Sequence, residues 1–197
     1  MRYIMRGMNS FSALNIINRI IDESVGEGDI CIDATAGRGN DTLHLCRLVG
    51  DTGHVTAFDI QQDAVDSTRE LLKRHGMANR ADVRLQSHSE MDSLFEEGTV
   101  SFITFNFGWL PKGDHNIFTK KDTSIQAIEK GLKLLKNGGM MSLIIYYGRE
   151  TGFEERDALL QYLPTLDSRL YTVIEMPFVN RQNCPPIPII IIKDKYI

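Results

Sequence analysis

The chain has few cysteines, no apolar stretch long enough to cross a membrane and no excess of positive charge. Its three cysteines, Cys31, Cys46 and Cys184, show neither metal-ligand spacing nor the even number of a disulfide framework, and they suit a reducing cytoplasm. Apolar runs such as Ile189 to Ile192 are far shorter than the about 20 residues that span a bilayer. The segment 1–10 has two arginines but no apolar core, so a signal peptide is not expected. We therefore predict a cytoplasmic protein with no metal site and no membrane partner.

Net charge and composition further restrict the kind of protein that this chain can be. A net charge of −4 disfavours a broad nonspecific nucleic-acid surface, although it leaves room for a local basic patch. The 197 residues, of which 42% are apolar and 24% are charged, suit a globular domain with a substantial core. We predict a single domain over residues 1–197 that begins with a helical segment at 1–27.

Apolar runs and helix-like segments alternate along the chain. Strands are predicted at 29–34, 54–60, 83–86, 100–107, 140–147, 171–178 and 187–193, and helices at 14–25, 41–49, 64–75, 123–136 and 153–163. No helix fits between the last two strands, so we expect them to pair antiparallel. The pattern predicts an α/β, Rossmann-like fold, with a seven-stranded, mostly parallel sheet whose last strand is antiparallel.

A glycine turn joins the first predicted strand to its helix. It reads Asp33-Ala34-Thr35-Ala36-Gly37-Arg38-Gly39-Asn40-Asp41. Glycines let the backbone turn tightly and approach a ligand, and a helix N-terminus offers free N–H donors. Asp59 ends the next predicted strand, 20 residues beyond Gly39, near the spacing at which such an acid holds ribose hydroxyls. A nucleoside-containing cofactor is therefore predicted at this turn.

The details of the turn favour a methyl donor over a dinucleotide. The dinucleotide pattern requires a third small residue at the place where this chain has Thr42. Asp33 and Asp41 would also repel a pyrophosphate. S-Adenosylmethionine carries a sulfonium and an ammonium group but no phosphate, so the same acids suit it. The sequence predicts S-adenosyl-L-methionine as the cofactor, with NAD as the disfavoured alternative.

The whole alternation resembles that of class I S-adenosylmethionine-dependent methyltransferases, in which ligands lie beyond the carboxyl ends of the strands. After the fourth strand, Asn106-Phe107-Gly108-Trp109 resembles the Asn/Asp-Pro-Pro-aromatic motif of enzymes that methylate exocyclic amines of nucleic acids, with Phe107 and Gly108 in place of the prolines. The resemblance implies that Asn106 accepts a hydrogen bond from the target nitrogen and that Trp109 stacks on the base. The alternatives are a local backbone cap for Asn106 and a core or rim position for Trp109.

Further residues at the same predicted edge are candidates by position. Ser87 and His88 follow the third strand, where either side chain would reach the edge of an adenine. The pair Asp114-His115 is predicted to act as a base or a clamp. Tyr146 and Arg149 follow the fifth strand and are predicted to line the substrate pocket.

Cys184 raises the question of covalent catalysis. Methylation at a pyrimidine carbon uses a cysteine nucleophile activated by its surroundings. In families with that chemistry the cysteine follows a proline, whereas Cys184 precedes Pro185 and Pro186 in a predicted hairpin. The sequence therefore disfavours a covalent mechanism.

Taken together, these segments are similar to one small bacterial family of transfer-RNA methyltransferases, formerly labelled rRNA methylases. The segments that carry the resemblance are 33–42, 58–61, 87–88, 106–115 and 183–186, within a match from 11 to 193. Members convert the 5-aminomethyl group of the modified wobble uridine to 5-methylaminomethyl. The resemblance implies cofactor roles for Asp33, Gly37, Gly39, Asn40, Asp41, Asp59, Gln61, Ser87 and His88, and catalytic or pocket roles for Asn106, Trp109, Asp114 and His115.

The anticodon region of tRNA is the partner that this resemblance implies. Other readings of the residues remain open. A methyltransferase of this fold can act on ribosomal RNA, on a protein or on a small amine, and a binding module can hold S-adenosylmethionine without catalysis. The exposed edge of the last hairpin also allows a homodimer.

Overall fold

A computed structural model describes residues 11–108, 119–148 and 152–194. Within these ranges the strands are β1 Ile30–Asp33, β2 His54–Asp59, β3 Ala81–Leu85, β4 Val100–Phe107, β5 Leu135–Ile145, β6 Tyr171–Glu175 and β7 Ile187–Lys193. The α-helices are α1 Ala13–Ser24, α2 Asn40–Val49, α3 Gln62–Arg74, α4 Lys121–Leu134 and α5 Phe153–Tyr162. Short 3₁₀ helices occur at Ala78–Arg80, His88–Leu94 and Leu163–Thr165. Each predicted strand and helix is present.

The strands form one sheet in the order β3-β2-β1-β4-β5-β7-β6. All neighbours from β3 to β5 are parallel, and β7 runs antiparallel to both β5 and β6. The predicted Rossmann-like fold class, with its antiparallel last strand, is confirmed. Because the chain proceeds outward from β1 in one direction and from β4 in the other, the switch point lies between these two strands, and a ligand crevice is expected at their carboxyl ends.

The core lies on both faces of the sheet. β4 is the most deeply buried strand, and its consecutive residues Phe102 and Ile103 belong to two different apolar clusters. The cluster around Phe102 includes residues from α1, α2 and α3, and the cluster around Ile103 includes residues from α4 and α5. Burial raises the pKa of Cys46 to about 12, so this thiol is a core group and not a nucleophile. The deeply buried central strand β4 thus ends at the switch point.

One predicted boundary is wrong. The strand predicted at 140–147 begins at Leu135, five residues earlier and directly after the helix α4, which ends at Leu134. The pairing of β4 with β5 shifts register between Val100 and Phe102, so 136–139 form an irregular stretch inside the strand. A Cβ at Gly139 would come within 2.9 Å of the Lys136 carbonyl oxygen, which explains a glycine where the sequence suggested only a turn.

The other predicted boundaries agree with the structure to within a few residues. β6 ends at Glu175, short of the predicted 178, and α3 begins at Gln62, before the predicted 64. None of the helices in the described part of the chain is long and apolar enough to cross a bilayer.

Candidate active site

The carboxyl ends of four neighbouring strands bring the predicted site residues to one edge of the sheet. Asp33 ends β1 and Asp59 ends β2. Asn106 is the last residue but one of β4, and Tyr146 directly follows β5. The order of these strands is β2-β1-β4-β5. Parallel strands place their carboxyl ends together, so residues far apart in sequence become neighbours.

The glycine turn is fastened to the strands on both sides of β1. The Ala34 N–H donates to the Thr104 carbonyl of β4 at 2.9 Å, and the Ala36 N–H donates to the Phe58 carbonyl of β2 at 2.9 Å. Gly39 then starts α2 with a φ of +82°, and a Cβ there would lie 2.9 Å from the Thr68 Cα. At Gly39 the close approach that demands glycine is therefore to α3.

Asp59 is held in place by two backbone donors. The Gly37 N–H donates to its Oδ2 and the Gln61 N–H donates to its Oδ1, each at 2.9 Å. Each oxygen of an ionised carboxylate has a further lone pair, so both can also accept from hydroxyl groups. The arrangement suits a carboxylate that receives the two hydroxyls of a ribose, and it brings the three candidate cofactor residues Gly37, Asp59 and Gln61 together.

Asp33 lies beneath the turn and is fully buried. The Thr42 hydroxyl donates to its Oδ2 at 2.6 Å, and the Thr35 N–H donates to its Oδ1 at 3.2 Å. Burial, followed by the neighbouring Asp41 carboxylate, raises the pKa of Asp33 to about 7. Its role in the structure is to support the turn and to add negative charge under it.

Asn106 is tied to the turn through both its backbone and its side chain. Its N–H donates to the Thr35 Oγ1 at 2.7 Å, and its Nδ2 donates to the Asp41 Oδ2 at 2.7 Å. Burial raises the pKa of Asp41, and the hydrogen bond from Asn106 opposes that shift. The predicted acceptor residue and the predicted cofactor turn are therefore parts of one hydrogen-bonded unit.

His88 points into the protein from the 3₁₀ helix after β3. Its Nδ1 donates to the Ala34 carbonyl at 3.0 Å, and its ring meets Phe105 edge-on with centroids 5.8 Å apart. Burial lowers the pKa of His88, which favours the neutral ring. Because Nδ1 carries the proton, Nε2 is an acceptor, and it is buried without a hydrogen-bond partner among the described residues.

The remaining predicted residues differ in what the structure shows of them. Ser87 accepts a hydrogen bond from the Ser89 N–H at 3.2 Å and so caps its own 3₁₀ helix. Asn40 is the exposed first residue of α2. Burial, and then Asp41, raise the pKa of the half-buried Tyr146. Four candidates lie outside the described residues: Trp109, Asp114, His115 and Arg149.

The arrangement fits S-adenosylmethionine better than a dinucleotide. Asp33, Asp41 and Asp59 lie close enough for the charges of the other two to affect the protonation of Asp33. This concentration of negative charge attracts a sulfonium and an ammonium group and repels a pyrophosphate. The oriented Asp59 carboxylate is an acceptor suited to ribose hydroxyls. The Nε2 of His88 is buried, so the structure does not present it to a ligand.

Comparison with known proteins decides the family. A family model described as "Putative rRNA methylase" matches residues 55–192. The chain belongs to this family. A crystal structure from Clostridium thermocellum, described as a "putative rRNA-methylase", has a TM-score of 0.91 at 39% identity, covering 94% of this chain and 100% of that one. A "putative methyltransferase" from Streptococcus mutans, solved in complex with SAH, has a TM-score of 0.83 at 31% identity, covering 92% of this chain and 97% of that one.

A curated relative adds a more specific name. The chloroplastic tRNA (mnm(5)s(2)U34)-methyltransferase of Arabidopsis thaliana is 34% identical over 182 residues, which cover 88% of this chain and 66% of that protein. The chain therefore spans just under two thirds of that relative's length. Together with the fold and the SAH complex, these matches place this rRNA methylase family member among the class I methyltransferases that use S-adenosylmethionine. The predicted family and cofactor are confirmed.

One buried carboxylate, that of Glu155, was not predicted from the sequence. Glu155 of α5 is 5% exposed and accepts hydrogen bonds from the Ser124 hydroxyl at 2.5 Å and from the Thr119 hydroxyl at 2.7 Å. The Thr119 Oγ1 in turn accepts from the Gly108 N–H at 2.8 Å, and the Thr119 N–H donates to the Gly108 carbonyl at 3.1 Å. Thr119 thus joins Gly108 on one side of the 109–118 segment to its own position on the other side, and Glu155 anchors Thr119 to α5. Helical spacing from the buried Leu159 was the available signal.

Proposed function

We propose that this chain is an S-adenosylmethionine-dependent N-methyltransferase that methylates the 5-aminomethyl group of the modified wobble uridine in the tRNA anticodon, in the cytoplasm. The observation that carries the proposal is the orientation of the Asn106 side chain. Its amide nitrogen donates to Asp41, so its amide oxygen, on the opposite side of the same planar group, faces away from Asp41. A carbonyl oxygen at the end of β4 is suited to accept from an amine. The name of the Arabidopsis relative supports the tRNA substrate.

Asp59, Gly37 and Gln61 would hold the ribose of the donor, and the buried Asp33 would supply negative charge near its cationic groups. When bound, S-adenosylmethionine supplies a methyl group that is already activated by a sulfonium leaving group. The protein's task is then mainly orientation, because a correctly held pair of reactants gains most from proximity.

The attacking amine must be neutral, since an ammonium has no lone pair. Asn106 aims that lone pair by accepting one of the amine's hydrogens. The nitrogen becomes positively charged when its new N–C bond forms, and it then releases one proton to solvent or to a nearby base. Asp114 and His115 are the sequence-predicted acceptors of that proton. Recognition of an unpaired wobble base by stacking on Trp109 suits a single-stranded anticodon loop.

The test is methylation of tRNA by the purified protein. tRNA that carries 5-aminomethyl groups should gain one methyl group at the wobble uridine, as read by mass spectrometry of its nucleosides, and an unmodified transcript should not. Equal methylation of the transcript would overturn the amine as acceptor. Methylation of ribosomal RNA alone, or S-adenosylmethionine binding with no transfer to any RNA, would replace the proposal with one of the alternatives.

Substitution of Asn106 separates catalysis from local capping. Asn106→Ala should lower kcat strongly, and because it removes the donor to the buried Asp41 it should also cost about 1–3 kcal/mol of stability. If Asn106 had only a structural role, the variant would lose stability but the turnover of its folded molecules would stay intact. Asn79→Ala is the matched control, because Asn79 is exposed in the 3₁₀ turn at the opposite, amino end of β3. Trp109→Ala should mainly raise the KM for RNA, since base stacking contributes about 1–3 kcal/mol.

A further inference from the structure

The contact between Asp41 and Asn106 decides which way a carboxamide faces. The two residues lie 65 positions apart, and the Nδ2 of Asn106 is 2.7 Å from the Oδ2 of Asp41. An ionised carboxylate only accepts hydrogen bonds, so the amide nitrogen must face it. The amide oxygen, on the other branch of the same planar group, must then face away from Asp41.

The backbone of Asn106 is fixed independently of that contact. Its N–H donates to the Thr35 Oγ1 at 2.7 Å, and the Thr35 N–H donates to the buried Asp33 at 3.2 Å. Asn106 also pairs with Ile144 of β5 in the sheet. What these bonds leave undetermined is rotation about the last torsion of the Asn106 side chain, which is broad and nearly two-fold for an amide. The hydrogen bond to Asp41 selects between its two orientations.

Asp41 also has a simpler structural reading. It is the second residue of α2, where an acid interacts favourably with the helix dipole. Asp63 occupies the same second position in α3, is exposed, and pairs with Arg38 at 3.1 Å. Asp63 therefore reproduces the helix position of Asp41 without a contact to Asn106, and it gives a matched control.

We propose that Asp41 is a positioning residue, which orients the Asn106 carboxamide so that its Oδ1 accepts a hydrogen bond from the substrate amine. The inference rests on the proposed role of Asn106 in amine methylation. In this inference the Oδ2 of Asp41 accepts the hydrogen bond from Asn106, whereas the sequence predicted that Asp41 contacts the cofactor. The cofactor turn and the acceptor site would then share Asp41, so that a well-ordered turn also fixes the orientation of the Asn106 side chain.

The kinetic test is a double-mutant cycle on aminomethylated tRNA. At saturating S-adenosylmethionine, D41A should lower kcat about tenfold, the rate equivalent of one lost hydrogen bond. Loss of the Asp41 charge is expected to weaken binding of the cationic donor in both backgrounds, so kcat is compared only at saturating donor. In the N106A background D41A should have no further effect on kcat, whereas D63A should be without effect in either background. A D41A effect on kcat that persists undiminished in N106A would overturn the inference.

The exchange variant D41N/N106D provides a rescue. It retains one amide and one carboxylate in contact and gives position 106 an oxygen that faces the substrate. The kcat of the exchange variant should be at least threefold higher than that of D41A. N106D alone, in which two carboxylates face each other, should stay impaired. No recovery in the exchange variant would contradict a role based on orientation.

A measurement without turnover separates this inference from the proposed function. In the ¹⁵N-labelled protein, the side-chain NH₂ signal of Asn106 is identified by its loss in N106A. D41A should shift that signal clearly, and D63A should not. An unmoved signal in D41A overturns the positioning role whatever the substrate is. A shifted signal together with a fully active N106A would keep the contact but refute the proposed function of Asn106.

Discussion

The two halves of the active edge are built in different ways. In the donor half, at the ends of β1 and β2, backbone N–H groups of Ala34, Ala36 and Gly37 fasten the turn to its neighbours. In the acceptor half, at the ends of β4 and β5, two contacts between side chains are added, those of Asn106 with Asp41 and of Thr119 with Glu155. Backbone contacts tolerate many changes of side chain, whereas side-chain contacts fail when one residue is replaced.

This difference fits the roles that we propose for the two halves. A methyl donor is the same molecule in all enzymes that use it, and a rigid backbone site serves it well. An acceptor differs from enzyme to enzyme, and side chains can change without rebuilding the sheet. The comparison predicts that damage to each half should have a separate kinetic signature.

The largest expected effect lies in the donor half. Asp59→Ala should weaken S-adenosylmethionine binding by about 2–4 kcal/mol, because it removes the acceptor of two charge-assisted hydrogen bonds with partial compensation by water. Calorimetry measures this, with SAH as a second ligand and NAD as a ligand that should not bind. Asp63→Ala is the control, since Asp63 is 79% exposed at its side chain. Unchanged affinity in Asp59→Ala, or tight NAD binding, would contradict the donor site.

The same division explains what the sequence could predict. The positions of the strands, the glycine turn and Asp59 follow from local patterns: apolar runs, a glycine pair and an acid at a fixed spacing. The orientation of Asn106 and the role of Glu155 depend on partners 65 and 36 residues away in the chain, which no local pattern identifies. The irregular stretch before Met140 was missed for a similar reason, since it is set by pairing with β4.

A smaller effect is expected from the acceptor half. Glu155→Ala should cost about 2 kcal/mol of unfolding free energy, because it leaves the hydroxyls of Ser124 and Thr119 without their buried acceptor. It should also raise the KM for tRNA and leave the Kd for S-adenosylmethionine unchanged. Urea unfolding and steady-state kinetics measure the two effects.

The neighbouring residue supplies the control for that experiment. Glu154 is 79% exposed at its side chain and pairs with Lys121 on the surface, so Glu154→Ala should change stability by at most about 0.5 kcal/mol. If Glu155→Ala weakened donor binding as much as acceptor binding, the two halves would not be separable.

The smallest expected effect concerns the pH dependence of stability that Asp33 causes. Asp33 has a pKa raised to about 7 by burial and by Asp41, and the Thr42 hydroxyl opposes that shift by donating at 2.6 Å. A raised carboxyl pKa means that the folded state takes up a proton as the pH falls through 7. The contribution of Asp33 to stability therefore becomes less favourable as the pH rises from about 4 to 7.

Thr42→Val, which keeps the shape of the fully buried side chain but removes the donor, tests this directly. The lost hydrogen bond stabilises the ionised carboxylate, so the variant's Asp33 should have a still higher pKa. The deficit in unfolding free energy should be about 1.5 kcal/mol at pH 8, where Asp33 is ionised, and should shrink toward pH 5.5, where it is protonated. Thr42→Ser retains the donor, so its deficit, due to one lost methyl group, should not change with pH. A small Thr42→Val deficit that does not change with pH would show that Asp33 stays protonated throughout, and would remove its charge from the donor half. A deficit of about 1.5 kcal/mol at both pH values would show instead that Asp33 stays ionised and that its pKa is not raised to this range.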